Sequence, residues 1–210
     1  MSEYAIVGMD DIQEITAGPI PCRPVRHHLG ITSFGVNAWT AAAGDRVISE
    51  HDEAGDMEEL YLVHRGRARF ELDGETIAAP AGSFVFAQPG VRRTAFAEEP
   101  DTTIVVLGGT PGEAYEAIGW ELWTPIAPLY DEGKFAEAAD RTRELAEANP
   151  QVPGLAYILA GCESRAGRTE AALEALRAVG PSKRMRRLAA KDPDLDAIRD
   201  EPAFREWMDS

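Results

Sequence analysis

Cysteine is scarce in this chain, with only Cys22 and Cys162 among 210 residues. Two cysteines so far apart in sequence exclude a disulfide scaffold and a zinc site built from thiolates. We expect both to be free, reduced thiols. The chain also lacks any run of about 20 apolar residues, and its N-terminus has neither a basic start nor an apolar segment. These absences predict a cytoplasmic protein with no membrane partner.

Lysine is absent from the residues that precede Pro125. They include 8 Arg and 20 acidic residues, a net charge of −12, whereas the rest has 13 basic and 16 acidic residues, a net charge of −3. Nucleic acids are bound mainly by neutralising their phosphates, so this charge argues against a nucleic-acid partner. The one basic cluster, KRMRR at 183–187, falls in a predicted helix and is interpreted as a solvated face.

The first half of the chain reads as β structure. Short runs rich in β-branched and aromatic residues end near Gly, Pro or Asp, which is typical of strands. They cover residues 31–39, 59–65, 68–74, 83–90, 92–97 and 102–108. Asp73-Gly74 between two extended runs indicates a hairpin. Six or more such strands, with no helical pattern among them, predict a β-sandwich or a small barrel.

The second half shows the 3.6-residue period of amphipathic helices. Segments 132–145 and 166–179 superpose at an offset of 34 residues, with Gly133 on Gly167 and Ala138 on Ala172. This is the period of the tetratricopeptide repeat, which residues 125–208 resemble. The final segment, 192–207, resembles the tail that covers the exposed apolar edge of such repeats. A partner-binding groove and a structural cap or dimerisation element are both compatible with this pattern.

Two motifs in the β half resemble those of the cupin superfamily, a small double-stranded β-helix barrel with its site inside. In the first motif, Gly44 takes the opening position, and Glu59 is followed by six residues and Gly66. In the second, the spacing is kept by Gly82, Gln88-Pro89-Gly90, Arg93 and Ala97. The resemblance covers about residues 26–109. We therefore predict an α+β chain with a cupin β-barrel domain at 1–110, a linker at 111–124 and a helical domain at 125–210.

The cupin resemblance implies a metal shell of three His and one Glu, of which this sequence keeps only part. His51 is the one histidine in the loop, Arg93 stands at the position of the second-motif His, and Glu59 keeps its place. If the chain is extended, Glu53 points to the same face as His51. His51, Glu53 and Glu59 are thus candidate ligands for a divalent metal (Mn, Fe, Ni, Cu or Zn), as in a metal-dependent oxygenase or isomerase.

Arg93 opposes such a metal, because a guanidinium that stays charged disfavours a neighbouring cation. We expect it to pair with Glu59 and to bind a carboxylate or another anion with its remaining donors. Further candidates for contacting the ligand are Tyr61, Gln88, Asn37 and Trp39.

Three functions follow from these residues. The leading hypothesis is a module that binds or senses a small anionic or polar ligand in the barrel, with helices that mediate self-association, such as a homodimer, or contact a protein partner. A metal-dependent enzyme is the second hypothesis, and a scaffold with an empty barrel is the third. No residue is assigned as catalytic.

Overall fold

The computed structural model describes residues 4–16, 20–53, 56–180 and 183–209, without the side chains at 183 and 184. Ala54 and Gly55 of the acidic loop, and the side chains of Lys183 and Arg184 in the KRMRR cluster, therefore lie outside the described part of the chain. The chain divides into two compact units, Met1–Ala117 and Ile118–Ser210. We call them the β unit and the helical unit.

The β unit consists of two antiparallel sheets. The five-stranded sheet contains, in spatial order, β1 (Cys22–Arg23), β2 (Gly35–Ala41), β9 (Thr102–Gly109), β4 (Glu58–Arg65) and β7 (Phe84–Ala87). The four-stranded sheet contains β3 (Arg46–His51), β8 (Arg93–Ala97), β5 (Arg67–Leu72) and β6 (Glu75–Pro80). A short 3-10 helix, Met9–Asp11, and helix α1 (Val25–Leu29) precede β2.

The core of the β unit lies between the inner faces of the two sheets. Tyr61 and Val63 of β4 and Ile104 of β9 meet Phe70 of β5 and Ala95 of β8, and all five are fully buried. The rings of Tyr61 and Phe70 pack edge to face, with centroids 5.6 Å apart. Burying each large side chain contributes roughly 1.5–3 kcal/mol, so this layer holds the sheets together. The predicted β-sandwich or small barrel is confirmed.

Strand β3 was not expected from the sequence. Its pairing with β8 shifts register twice, between Arg46 and Ile48 and again between Ile48 and His51. Val47 and Ile48 are consecutive and both buried, so the alternation that identifies a half-buried strand is lost here.

The predicted hairpin is confirmed, because Asp73 and Gly74 both have positive φ in the turn between β5 and β6.

The helical unit contains α2 (Gly119–Trp123), α3 (Ala127–Asp131), α4 (Phe135–Ala148), α5 (Pro153–Arg165), α6 (Thr169–Val179), α7 (Lys183–Ala189) and α8 (Pro202–Asp209). Gly133 and Gly167 precede α4 and α6 with nearly equal φ of 75° and 74°. These equivalent left-handed turns agree with the 34-residue offset. No helix in the described part of the chain is both long and apolar enough to cross a membrane.

The C-terminal tail completes the core of the helical unit. A 3-10 helix, Pro193–Ile198, packs on α5, and its Leu195 and Ile198 are fully buried with Phe204 and Trp207 of α8. Polar contacts add to this packing. Tyr157 Oη donates a 2.8 Å hydrogen bond to Asp192, and Arg165 Nη1 lies 3.0 Å from Asp194 Oδ1. The tail thus covers the apolar edge of the repeats, as the sequence predicts.

Gly66, in the turn between β4 and β5, provides a test of the packing. Its φ is +74°, and an added Cβ would lie 2.5 Å from Oγ1 and 2.9 Å from Cα of Thr102. A left-handed non-glycine residue costs roughly 1–2 kcal/mol and overpacking roughly 1–3 kcal/mol. We therefore predict that Gly66→Ala lowers the free energy of unfolding by about 3 kcal/mol, measured by urea unfolding followed by circular dichroism.

The matched control is Gly74→Ala. Gly74 has a similar φ of +87°, but an added Cβ would meet nothing within 4 Å. This variant should lose only about 1–2 kcal/mol, the conformational part alone. Equal losses in the two variants would contradict the role assigned to the contact with Thr102.

Candidate functional site

The candidate site is centred on one carboxylate oxygen of Glu59, on strand β4. Glu59 Oε2 accepts a 2.5 Å hydrogen bond from the hydroxyl of Tyr61. The same oxygen lies 3.2 Å from His51 Nε2 and 3.3 Å from Arg93 Nε. Three side chains of different chemistry therefore converge on a single acceptor.

Both sheets contribute to this cluster. His51 and Arg93 are directly opposite each other where β3 pairs with β8 in the four-stranded sheet. Glu59 and Tyr61 are two residues apart on β4 in the five-stranded sheet, so they point to the same face. Because the inner faces of the two sheets meet, residues distant in sequence come into contact between them.

Arg93 is fully buried, yet its guanidinium is incompletely bonded. Nη1 donates a 2.8 Å hydrogen bond to the carbonyl of Val91. Nε forms an ion pair with Glu59, but it does not have the geometry of a hydrogen bond, and buried Nη2 has no hydrogen-bond partner among the described residues. An unsatisfied buried donor costs roughly 1–3 kcal/mol. Nη2 is therefore a buried donor that an additional acceptor would satisfy.

The orientation of His51 is set by a backbone carbonyl. His51 Nδ1 lies 2.7 Å from the carbonyl oxygen of Ser49, which can only accept, so Nδ1 carries a proton. Nε2 then faces Glu59 Oε2 at 3.2 Å and Glu53 Oε1 at 3.6 Å. It presents either the second N–H of an imidazolium or a lone pair suited to a metal ion.

Opposing influences act on the pKa values of the cluster. Burial lowers the pKa of His51, but its hydrogen bonds with Glu59 and Ser49 and the charge of Glu59 outweigh burial and raise it above 6.5. Burial raises the pKa of Glu59, but hydrogen bonds with His51 and Tyr61 and the charges of His51 and Arg93 lower it below 4.5. Burial and the charge of Glu59 raise the pKa of Tyr61. Glu59 is thus a carboxylate at neutral pH, and Tyr61 is a neutral donor.

The three predicted metal ligands come together in the structure. His51, Glu53 and Glu59 each offer one ligand atom, and all three atoms lie within 4.8 Å of one another. Their side chains are 21%, 28% and 12% exposed, so the cluster has access to solvent. One nitrogen and two carboxylate oxygens suit a first-row divalent ion with open positions for water or substrate. Arg93 opposes this ion, because its charge lies beside the same oxygen.

The other three residues predicted to contact a ligand, Asn37, Trp39 and Gln88, lie outside this cluster. Asn37 and Trp39 are on the inner face of β2, which β9 separates from β4. Gln88 is exposed in the turn after β7. The carbonyls of Ser49 and Val91 could not be predicted, because no side-chain pattern identifies a backbone acceptor.

Comparison with known proteins gives separate matches for the two units. Residues 129–194 match the tetratricopeptide repeat family. A search of curated proteins found no match.

Several solved structures resemble the β unit. A cupin protein from Bacteroides fragilis is 19% identical, with 56% of this chain and 92% of that chain covered and a TM-score of 0.43. A double-stranded β-helix protein from Klebsiella pneumoniae is 24% identical, with coverages of 54% and 89% and a TM-score of 0.44. A predicted oxalate decarboxylase from Thermotoga maritima is 16% identical, with coverages of 50% and 99% and a TM-score of 0.43.

The predicted fold class is confirmed. The chain is α+β, with a cupin-like pair of sheets followed by helices like those of the tetratricopeptide repeat. Fold alone assigns no activity, because one fold supports many functions.

The raised pKa of His51 predicts a pH-dependent contribution to stability. A pKa that is higher in the folded chain means that the contribution is fully present below about pH 6.5 and is lost as the pH rises through the folded value. We predict that His51→Gln destabilises the protein by about 1.5 kcal/mol near pH 5.5, as expected for a hydrogen bond to a charged group.

The measurement is urea unfolding of the wild type and His51→Gln in the presence of a chelator, across a series of pH values. The difference between the two proteins should shrink as the pH rises above about 6.5, the ordinary pKa of the imidazole, and through the raised pKa of folded His51. A difference that grows with pH would contradict the protonated form of His51.

Proposed function

We propose that the β unit binds a small polar molecule with an anionic oxygen and that the helical unit contacts a protein. One observation carries the first part: the buried guanidinium of Arg93 has a donor, Nη2, without a hydrogen-bond partner among the described residues. An anionic oxygen is the acceptor that suits it best, because charge-assisted hydrogen bonds are stronger than neutral ones. Glu59 already supplies the counter-charge, so the ligand adds a second acceptor.

The charges of the cluster narrow the class of ligand. With His51 neutral, Glu53 and Glu59 outweigh Arg93 by one negative charge, and protonated His51 makes the cluster neutral. A simple anion is favoured when His51 is protonated. A hydroxy acid or an amino acid also fits, because its hydroxyl or ammonium group can donate to Glu53, whose side chain is 28% exposed. Arg93 itself is fully buried, so ligand entry requires a side-chain shift that opens a path to Nη2.

Substitution of Arg93 tests this proposal. We predict that Arg93→Met weakens binding of a small anion at least about tenfold, the loss expected for one charge-assisted hydrogen bond. The probes are oxalate, malate, glutamate and inorganic phosphate, titrated by calorimetry into the full chain. Arg92→Met is the matched control, because Arg92 is exposed and pairs with Glu50 at 2.7 Å. A probe bound equally by the wild type and Arg93→Met would rule out Arg93 as its receptor.

A metal-dependent enzyme is the second candidate function. The convergence of ligand atoms from His51, Glu53 and Glu59 favours it, as does the carbonyl of Ser49 that leaves His51 Nε2 facing the two carboxylates. A bound divalent ion would supply Lewis-acid chemistry or an activated water. An anionic substrate would then offset the positive charge that the ion adds beside Arg93.

Elemental analysis of the purified, tag-free protein distinguishes the two candidates. If the metal function holds, the wild type carries near-stoichiometric Mn, Fe, Ni, Cu or Zn, and Glu53→Gln and Glu59→Gln both lose it, because each removes one of three ligands. Glu58→Gln is the control, since Glu58 is exposed on the same strand. A wild type without metal, even after incubation with these ions, would eliminate the metal function.

The proposed protein contact of the helical unit is supported by the match to the tetratricopeptide repeat family over residues 129–194. The chain itself covers part of α5, where Asp192 contacts Tyr157 and Asp194 contacts Arg165. Asp194 also accepts a hydrogen bond from Tyr130 of α3. Leu195 and Ile198 of the same segment are buried, so this face is not available to a partner without unfolding the tail. We propose that the partner binds another face of the helices.

A further inference from the structure

A row of polar side chains crosses one end of the five-stranded sheet. Arg65 of β4 is opposite Thr103 of β9, which is opposite Thr40 of β2. Arg23 of β1 extends the row, because its Nη1 donates a 3.3 Å hydrogen bond to Thr40 Oγ1. Between this row and the residues that precede β1 lies a cleft of about 300 Å³. We call it the N-terminal cleft, and its charged lining residues are Asp10, Glu14, Arg23, Arg65 and Asp101.

The N-terminal cleft is separate from the cluster around Glu59. Trp39 and Ile104 pack in the core between the two sheets. Side chains alternate along a strand, so their neighbours Thr40 and Thr103 face away from that core. The sheet itself therefore lies between the two sites, and a ligand of the cleft is independent of the one proposed above.

The hydroxyl hydrogens of the row are already used within the protein. Thr103 Oγ1 donates a 3.1 Å hydrogen bond to the carbonyl of Asp101, so it is the acceptor in its 3.1 Å contact with Thr40 Oγ1. Thr40 thus donates to Thr103 and accepts from Arg23. Each hydroxyl keeps one lone pair for a further donor. This side of the cleft therefore favours a ligand that donates hydrogen bonds.

The carboxylates of the cleft add to this preference. Three carboxylates and two guanidinium groups line it, which gives a net charge of −1. Glu14 pairs with Arg23 at 2.6 Å, and Asp10 pairs with Arg65 at 3.5 Å. The Asp101 side chain is exposed and has no ion pair with any described residue. Asp101 is thus the acceptor best suited to an ammonium group.

The guanidinium groups keep donors for an acceptor. Arg65 is 50% exposed, and its ion pair with Asp10 uses one of its nitrogen atoms. Nε of Arg23 is buried and has no hydrogen-bond partner among the described residues. Guanidinium groups bind carboxylates through paired hydrogen bonds. A ligand with both an ammonium group and a carboxylate therefore matches the cleft, whereas a ligand of one sign would meet like charges.

We propose that the N-terminal cleft binds a free α-amino acid with a basic side chain, such as arginine or lysine. Its ammonium group would pair with Asp101, and its carboxylate would pair with Arg65. The side-chain cation would offset the net charge of the lining. Ligand pockets have volumes of roughly 300–1,000 Å³, so a cleft at the lower end of that range suits one amino acid better than a nucleotide.

Calorimetric titration of the full chain with L-arginine tests the cleft. We expect one-to-one binding that Asp101→Asn weakens at least about tenfold, the loss expected for one charge-assisted hydrogen bond. Asp73→Asn is the matched control, because Asp73 and Asp101 both have positive φ, 47° and 55°, which asparagine also tolerates. Circular dichroism establishes that each variant is folded. No binding to the wild type, or equal affinity in the wild type and Asp101→Asn, would overturn the proposal.

Two analogues test the groups of the ligand. Agmatine lacks the carboxylate of arginine and glutamate lacks its side-chain cation, so the wild type should bind each at least about tenfold more weakly than arginine. Arg65→Met should remove the difference between arginine and agmatine. Agmatine bound by the wild type as tightly as arginine would overturn the assignment of an amino acid. Loss of arginine binding in Arg93→Met but not in Asp101→Asn would place the amino acid in the cluster around Glu59 and overturn the proposal.

Discussion

The ion pair between Glu59 and Arg93 is the interaction on which the site of the β unit depends. It joins the two sheets, because Glu59 lies on β4 and Arg93 on β8, and the guanidinium is fully buried. A buried charge without its partner is strongly destabilising, by roughly 3–5 kcal/mol. Hydrogen bonds with His51 and Tyr61 and the charges of His51 and Arg93 together keep Glu59 ionised inside the protein. The contact between Glu59 and Arg93 therefore holds the polar cluster together and links the two sheets.

The same pair decides which ligands compete for the cluster. A metal ion held by His51, Glu53 and Glu59 would share Glu59 Oε2 with Arg93, whose Nε is 3.3 Å away. An anion at Arg93 Nη2 needs no such sharing, since that donor has no hydrogen-bond partner among the described residues. This asymmetry favours anion binding over a catalytic metal. It also explains why a cation at this position would need an anionic ligand to balance its charge.

Sequence reasoning predicted the two-unit organisation and the composition of the cluster, because both depend on spacing. The motif distances placed Glu59 and Arg93 in one site, and the 34-residue offset placed Gly133 and Gly167 at equivalent turns. Strand β3 was missed because its bulges remove the alternation of buried residues. The tautomer of His51 and the complete burial of Arg93 depend on backbone carbonyls and on packing between distant strands. The order of residues along the chain therefore predicts neither the tautomer of His51 nor the burial of Arg93.

The bulges of β3 have a consequence for how this site changes during evolution. Val47 and Ile48 fix the strand in the core, while the second register shift lies between Ile48 and His51. His51 lies directly beyond that shift, opposite Arg93 of β8, and a bulge re-aims the side chains next to it. Substitutions at 51 and 53 can alter the set of ligating groups while the hydrophobic layer stays intact. A lineage can thus change the polar groups of this cluster and retain the same pair of sheets.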